Sequence, residues 1–420
     1  MLKNLFRCHS SHLVAGFLAL SFCPLKAQEI ELGSIKKGSN KIRYIAVGGS
    51  ISSGVQNGGI NQEGQLAAFP NLLARSMGIS SFSQPLFEGD YKKGSGQVHA
   101  YVKNGLLEIS EATDNAFIKS ESLPKITKEI DNISIPYLKV REITVNENEP
   151  GTFLPNFDKT SYQHLNRYSD ANTEGKSSYA KTLKSKINQL DFFTWELGAD
   201  DFVEYYTGGG YGKHISYLTN DREGIFPENE LIQMLVERGG KGAIANVPDI
   251  LSLPYFNFYS YKNIVKKVGA EIYVQRYQKN DVRMLDPRDR LLPTDNVTAL
   301  FTSVSEIGRV PENPLFDEEV IGYEEIEQVN TYNQWVDGFA KQNGLALVDL
   351  NSLYQKILKG DYVTEDGVKI DPSYPTGNFF SADGIHPSAV GQGVIANEFI
   401  RTINLYYGSK IALINISTIK

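Results

Sequence analysis

Asp383 and His386 stand three residues apart in the segment Phe379-Phe380-Ser381-Ala382-Asp383-Gly384-Ile385-His386-Pro387, and Ser50 follows Gly48-Gly49 at the end of the apolar run Ile42 to Val47. A carboxylate that near to an imidazole in a turn can fix its tautomer, and the imidazole can then take the proton of a serine attacking a carbonyl. The chemistry these residue types allow is cleavage of an ester through a covalent acyl-serine. Each signal alone has a plainer explanation. Asp-x-x-His also describes a solvated surface pair, and Gly-Gly-Ser-Ile-Ser-Ser-Gly also describes a tight turn after a strand. Elimination sharpens the case: beyond the first 27 residues the histidines are His99, His164, His214 and His386, and only His386 has an Asp at that spacing.

Other chemistries find less support. No Gly-Lys-Ser/Thr follows the glycines at 48 and 49, and the Gly-x-Gly-x-x-Gly spacing of a dinucleotide loop is absent. Ser52 stands where a Gly-x-Ser-x-Gly nucleophile elbow needs its second glycine. No His/Asp/Glu group has metal-ligand spacing, so neither a metal nor another cofactor is expected. The two cysteines, Cys8 and Cys23, both fall near the N-terminus, which leaves the remainder without a disulfide or thiol nucleophile.

The elements that must position these residues follow from the apolar pattern. Ile42 to Val47, Phe192 to Leu197, Gly242 to Val247 and Leu345 to Leu350 are short apolar runs, each reading as a buried strand. Helical spacing is found over Gln65 to Met77, Asn229 to Gly239 and Glu324 to Asn343. Strands alternating with helices imply an α/β domain with a mostly parallel sheet and helices on both faces, and place Ser50 and Gly198 at strand carboxyl ends, where ligands bind. Between about residues 80 and 139 the pattern turns to alternation, as in Gln97 to Val102, and reads as a β-rich insert. A long polar loop is expected from there to about Lys186. Gly208-Gly209-Gly210-Tyr211-Gly212 reads as a loop suited to covering an acyl pocket.

The chain has 420 residues, 41% of them hydrophobic and 22% charged, which is enough for a real core. Its net charge of −7 argues against nucleic acid or an anionic membrane surface as the main partner. Lys3 and Arg7, the apolar stretch Leu13 to Phe22 and the small Ala27 have the order of a secretory signal peptide over residues 1–27, leaving 28–420 as one elaborated domain. A buried N-terminal helix is the alternative. Cys23 follows Leu20-Ser21-Phe22, which partly matches a lipoprotein cleavage site, so that a lipid anchor is one route to the membrane.

Taken in order, these blocks resemble the SGNH, or GDSL-type, hydrolase superfamily, and within it the exported hydrolases of bacterial cell envelopes. The first block is Gly48-Gly49-Ser50-Ile51, the second falls at Asn132 to Tyr137, the third is Gly198-Ala199-Asp200-Asp201, and the last is Asp383 to His386. Gln62 to Gln65, Phe69 to Ala74, Asn246 to Ile250, Gly344 to Asp349 and the stretch from Gly391 to Phe399 are similar too. The resemblance spans roughly residues 41–410. It implies a three-layer α/β/α fold, a Ser50-His386-Asp383 triad, and an oxyanion hole made by the backbone N–H of Ser50, the backbone N–H of Tyr137 and the side chain at position 200.

Three positions depart from that pattern. Tyr137 stands in place of a glycine, and Gly49 in place of an aspartate that would anchor the nucleophile loop. Asp200 replaces an asparagine, and an ionised Asp can only accept hydrogen bonds. Losing one oxyanion donor costs on the order of 10²–10³ in rate, so activity would require a protonated Asp200 or another donor. A solvated Asp200, with Asp201 as the structurally important acid, is the alternative. Two functions are thus expected to compete. One is an exported esterase or lipase-like enzyme acting on a small-molecule, lipid or glycan ester in the periplasm, at the outer membrane or outside the cell. The other is a catalytically impaired envelope protein that binds glycan or lipid in the old crevice.

Overall fold

The computed structural model describes residues 30–36, 42–94, 96–111, 123–144, 159–168, 177–210, 215, 218, 228–276, 281–301, 306–316, 318–327 and 329–419. The expected leader with both cysteines lies outside these residues. So do His214 and the end of the glycine-rich stretch, Tyr211 and Gly212, on which the expectation of a pocket cover falls.

In chain order the strands are β1 (Tyr44–Gly48), the hairpin β2 (Val98–Lys103) and β3 (Leu106–Glu111), β4 (Phe192–Glu196), β5 (Lys241–Ala245), the hairpin β6 (Tyr273–Arg276) and β7 (Asp281–Met284), β8 (Arg290–Leu291), β9 (Val320–Ile321) and β10 (Ala346–Val348). The central sheet has the order β1-β4-β5-β10 and is parallel throughout. Every residue of β1 and β4 is buried, which is why these strands read as mostly apolar runs, with Thr194 and Glu196 the polar residues of β4, rather than as alternating ones. Helices Ala389–Tyr407 and Asn330–Asn343 pack on β10 and β5, and Phe69–Ser76 packs on the first of these. The molecule is a mixed α/β protein with an all-parallel four-stranded core.

The parallel register pairs Tyr44 with Phe192 and Gly48 with Glu196. Both chains therefore leave the sheet side by side, and the residues two to four positions further on, Ser50 and Gly198 to Asp200, meet above its carboxyl edge. On the other side of β1, Ile133 N–H donates to Ala46 O at 2.8 Å and Ile135 N–H to Gly48 O at 3.0 Å, a parallel pairing. β1 thus has one neighbour from later in the chain on each side. The chain reverses its direction of travel across the sheet there, and the crevice of such sheets opens at that point.

Several sequence expectations change. The stretch read as a β-rich insert contains the hairpin β2–β3, but residues 131–135 belong beside β1 in the main core. The supposed polar loop before Lys186 carries two helices, Lys159–Asn166 and Tyr179–Lys186, whose buried faces include Tyr162, Leu165, Tyr179 and Leu183. Their polar composition hid short amphipathic faces. The helix expected over Gln65 to Met77 is two, Gln62–Ala67 and Phe69–Ser76, broken where Ala68 turns extended, with Pro70 in the first turn of the second. No apolar run in the sequence marks Tyr259 to Val320 as a unit, yet the segment forms a second apolar cluster of Tyr259, Ile264, Ile272, Val274, Leu285, Leu291, Val297, Leu300, Leu315 and Val320. Leu107 of β3 joins that cluster, and its N–H donates to Tyr259 Oη at 3.0 Å.

Candidate active site

Ser50 opens a four-residue helix, Ser50–Ser53, at the end of β1, and the whole helix is buried. So short a helix cannot satisfy its own ends, and distant side chains do it instead. Ser50 N–H donates to Asp200 Oδ2 at 2.8 Å, and Ser52 N–H to Glu196 Oε2 at 3.1 Å. Ser52 Oγ also donates to Glu196 Oε2, at 2.9 Å. Among the carbonyls, Ile51 O accepts from Gln392 Nε2 at 2.9 Å and Ser52 O from Asn132 Nδ2 at 3.0 Å. Gln392 Oε1 also accepts Phe69 N–H at 2.9 Å, so that one side chain of helix Ala389–Tyr407 ties it to both the nucleophile helix and helix Phe69–Ser76.

Asp200 is buried, so the solvated alternative is excluded. Its Oδ1 receives the Ser50 hydroxyl at 2.5 Å, within the range of a charge-assisted O–H···O⁻ bond. A Cβ on Gly49 would lie 2.1 Å from Asp200 Oδ2. The missing side chain at 49 therefore makes room for the carboxylate at 200, which supplies from the third block the polar anchor that Gly49 lacks. Asp201 is the structural acid: buried, it accepts the Val140 N–H on both oxygens, at 3.1 and 3.0 Å. Gly198 starts this turn with φ +97°, and a Cβ there would meet the Tyr332 ring at 2.6 Å.

Tyr137 N–H donates to Ser50 Oγ at 3.0 Å, so the second block does reach the nucleophile. Its φ is +62°, the left-handed region that a glycine adopts without strain. The tyrosine holds this conformation with its ring, whose hydroxyl donates to Gly58 O at 3.0 Å.

Asp383 Oδ2 pairs with His386 Nδ1 at 2.8 Å and accepts Gly58 N–H at 2.6 Å. Its Oδ1 accepts the N–H groups of Ile385 and His386 at 2.9 and 2.8 Å and the Ser381 hydroxyl at 3.1 Å. Asn57 N–H reaches Ser381 Oγ at 2.8 Å, and Asn57 Oδ1 accepts Ala382 N–H at 2.9 Å. The loop after the nucleophile helix is thus fastened to the Asp-x-x-His turn, and both members of the pair are buried, not a solvated surface pair. Ser50 Oγ donates to Asp200, and among the described residues no hydrogen bond joins it to His386.

Burial alone would raise the Asp383 carboxyl, but His386 and the backbone N–H groups hold it below its ordinary value. Burial works to lower His386, yet Asp383, with Asp200 and Glu196 behind it, keeps the imidazole above its ordinary value. Asp200 is raised by burial, against the pull of His386, the Ser50 bonds and Lys139. Glu196 is pushed up to about 8 by burial and then by Asp200. Three buried carboxyl groups therefore act on one buried imidazole.

Of the residues expected from sequence, Ser50, Tyr137 and Asp200 meet around one oxygen atom, and Asp383 and His386 form their pair on the adjoining loop. Glu196, Asn132 and Gln392 join the site without having stood out as site residues in the sequence; their signal is a polar side chain inside an apolar run. His164 is buried between the Phe87 and Tyr137 rings, and His99 lies on the exposed hairpin. A cavity of about 890 Å³ opens beside Gln56, lined by Leu66, Leu72, Ile414 and Ile419, and includes none of Ser50, Asp383 and His386. No cluster of metal-ligating side chains exists among the described residues. No helix among them is long and apolar enough to cross a membrane.

Comparison with family models, with curated proteins and with solved structures returned no match.

Proposed function

We propose that this chain is an exported serine hydrolase of carboxylic esters, built on the three-layer SGNH plan, with Ser50 as nucleophile and the Asp383–His386 pair as its proton-transfer group. The observation that carries the reading is the convergence on Ser50 Oγ at the sheet's switch point. Tyr137 N–H and Asp200 hold the hydroxyl in place, and the His386 pair is tethered through Gly58 to the loop that follows the nucleophile helix. Four polar side chains, Asp200, Glu196, Gln392 and Asn132, gathered to satisfy one buried four-residue helix are far more than a mere turn requires. Attack by Ser50 on an ester would give an acyl-serine, and water would release the acid. The substrate is a small-molecule, lipid or glycan ester of the cell envelope.

A second reading, a binding protein that keeps the crevice without turnover, is favoured by one observation: the Ser50 N–H that would stabilise an oxyanion is occupied by Asp200. The two readings separate on a fluorophosphonate probe. Stoichiometric labelling of Ser50, lost in Ser50→Ala together with hydrolysis of a short-chain aryl ester, is the result expected of the enzyme. Absence of labelling and of turnover across a broad pH range would overturn it in favour of the binder.

A further inference from the structure

We propose that Asp200, not His386, takes the proton of Ser50, and that His386 works from its imidazolium form as the acid toward the leaving alcohol. This rests on the hydrolase reading above. A serine hydroxyl has one hydrogen. Here Tyr137 N–H points at the oxygen, and the hydrogen is directed to Asp200 Oδ1 across 2.5 Å. His386 has its Nδ1 committed to Asp383 and makes no bond to the serine.

The surrounding charges favour the same division of labour. Asp383 is ionised, bound by four N–H groups or hydroxyls besides the imidazole nitrogen. Asp200 acts on His386 as a negative neighbour, which stabilises an imidazolium, and the imidazolium in turn favours an ionised Asp200. Burial leaves Asp200 a stronger base than an ordinary aspartate, closer to what proton abstraction near neutrality needs.

This arrangement also removes the objection that a carboxylate at 200 would repel an oxyanion. As Ser50 attacks, its O–H bond breaks, the proton passes to Asp200 Oδ1, and the Oγ–C bond forms. Negative charge leaves Asp200 as it arises on the carbonyl oxygen, and the new carboxylic acid is a hydrogen-bond donor. Collapse expels the alcohol oxygen, which takes the proton of His386 Nε2. Neutral His386 then accepts a proton from water as the water oxygen bonds to the acyl carbon. When the C–Oγ bond breaks, Ser50 recovers its proton from Asp200. The sum is ester plus water to acid plus alcohol, with Asp200 ionised and His386 protonated again.

The test is pre-steady-state hydrolysis of a short-chain p-nitrophenyl ester, whose leaving group needs no acid. His386→Ala should release about one equivalent of nitrophenolate at a rate within roughly tenfold of wild type and then stall, with acyl-Ser50 visible by mass spectrometry. Asp200→Asn should lower the burst rate on the order of 10²–10⁴-fold, the worth of a general base. The reverse pattern, a burst in Asp200→Asn and none in His386→Ala, would overturn the assignment while leaving the hydrolase reading intact. Nitrophenolate release by the wild type no faster than by Ser50→Ala would instead mean that the hydrolase reading had failed. Should circular dichroism show Asp200→Asn unfolded, the His386→Ala trace decides alone: a burst sustains the proposal and its absence overturns it.

Discussion

The carboxylate of Asp200 fills the space into which a side chain on Gly49 would project, 2.1 Å from where that Cβ would stand. The two positions are therefore one unit spread over two blocks that lie 150 residues apart at Ser50 and Asp200. Gly49→Ala forces the carboxylate away from Ser50, and overpacking of this kind costs about 1–3 kcal/mol. Asp200→Ala relieves the crowding but leaves the Ser50 N–H unpaired. The double variant should be more stable than the sum of the two single effects, by about 1 kcal/mol or more. Urea denaturation of the four proteins measures this, and additivity within error would show the contact to be unimportant.

Tyr137 combines a backbone donor with a strained backbone. Tyr137→Phe removes the hydroxyl that donates to Gly58 O and should cost about 1 kcal/mol. Tyr137→Gly relieves a left-handed strain of about 1–2 kcal/mol and loses the ring, yet it keeps the N–H that points at Ser50 Oγ. Labelling of Ser50 by a fluorophosphonate should therefore survive in Tyr137→Gly within about tenfold. A complete loss of labelling would show that the ring, not the amide, is what the site needs.

The part of the fold legible in the sequence is the part whose residues are buried on every side. β1, β4, β5 and β10 stand within two residues of the apolar runs that announce them, because a doubly covered strand is apolar on both faces and shows no regular polar alternation. The 131–135 segment escapes such a reading because Asn132 and Ser134 interrupt its apolar character; both are buried, and Asn132 is there to bond Ser52 O of the nucleophile helix. The candidate site was legible as residue types at spacings. What no spacing could convey is that Gly49 and Asp200 compensate one another, since that follows only from the register of β1 against β4. The left-handed backbone at 137 explains why a glycine suits that position, and it too is a fact of conformation, not of residue type.

Glu228 makes the pH dependence of stability a test of the buried core beside the site. Its Oε1 accepts the Tyr332 hydroxyl at 2.7 Å. Burial pushes this carboxyl up to about 7 from an ordinary 4.5. The folded state thus holds a proton that the unfolded chain has released, so stability falls as pH rises from 4.5 through 7 and levels off above. A shift of that size corresponds to about 3 kcal/mol. Glu228→Gln should flatten the fall between about pH 5 and 8, measured by urea titration at fixed pH. An unchanged slope would mean that Glu228 is ionised in the folded protein.

The same pair of groups that divides the proton work should shape the pH profile of kcat/KM. If Asp200 acts as base and His386 as acid, the active form has Asp200 ionised and His386 protonated. Activity toward an alkyl ester then falls in acid as Asp200 takes up a proton, above the ordinary 3.8 because burial raises it. It falls in alkali as His386 loses its proton, above the ordinary 6.5 because Asp383, Asp200 and Glu196 hold it there. Glu196 gives up its proton at about 8, which adds a negative neighbour and prolongs the imidazolium. Lys139, two residues beyond the second block, acts on Asp200 and draws its limb back toward acid. Tyr255, Tyr354 and Tyr374 face Asp383 and keep their protons throughout this range, their hydroxyls raised by burial. The profile should therefore be bell-shaped for an alkyl ester. With a p-nitrophenyl ester, whose leaving group needs no proton, the alkaline limb should fade while the acid limb remains. A serine proton taken by neutral His386 would instead give one ascending limb and a plateau for both esters, and that outcome would return Asp200 to the role of an obstacle.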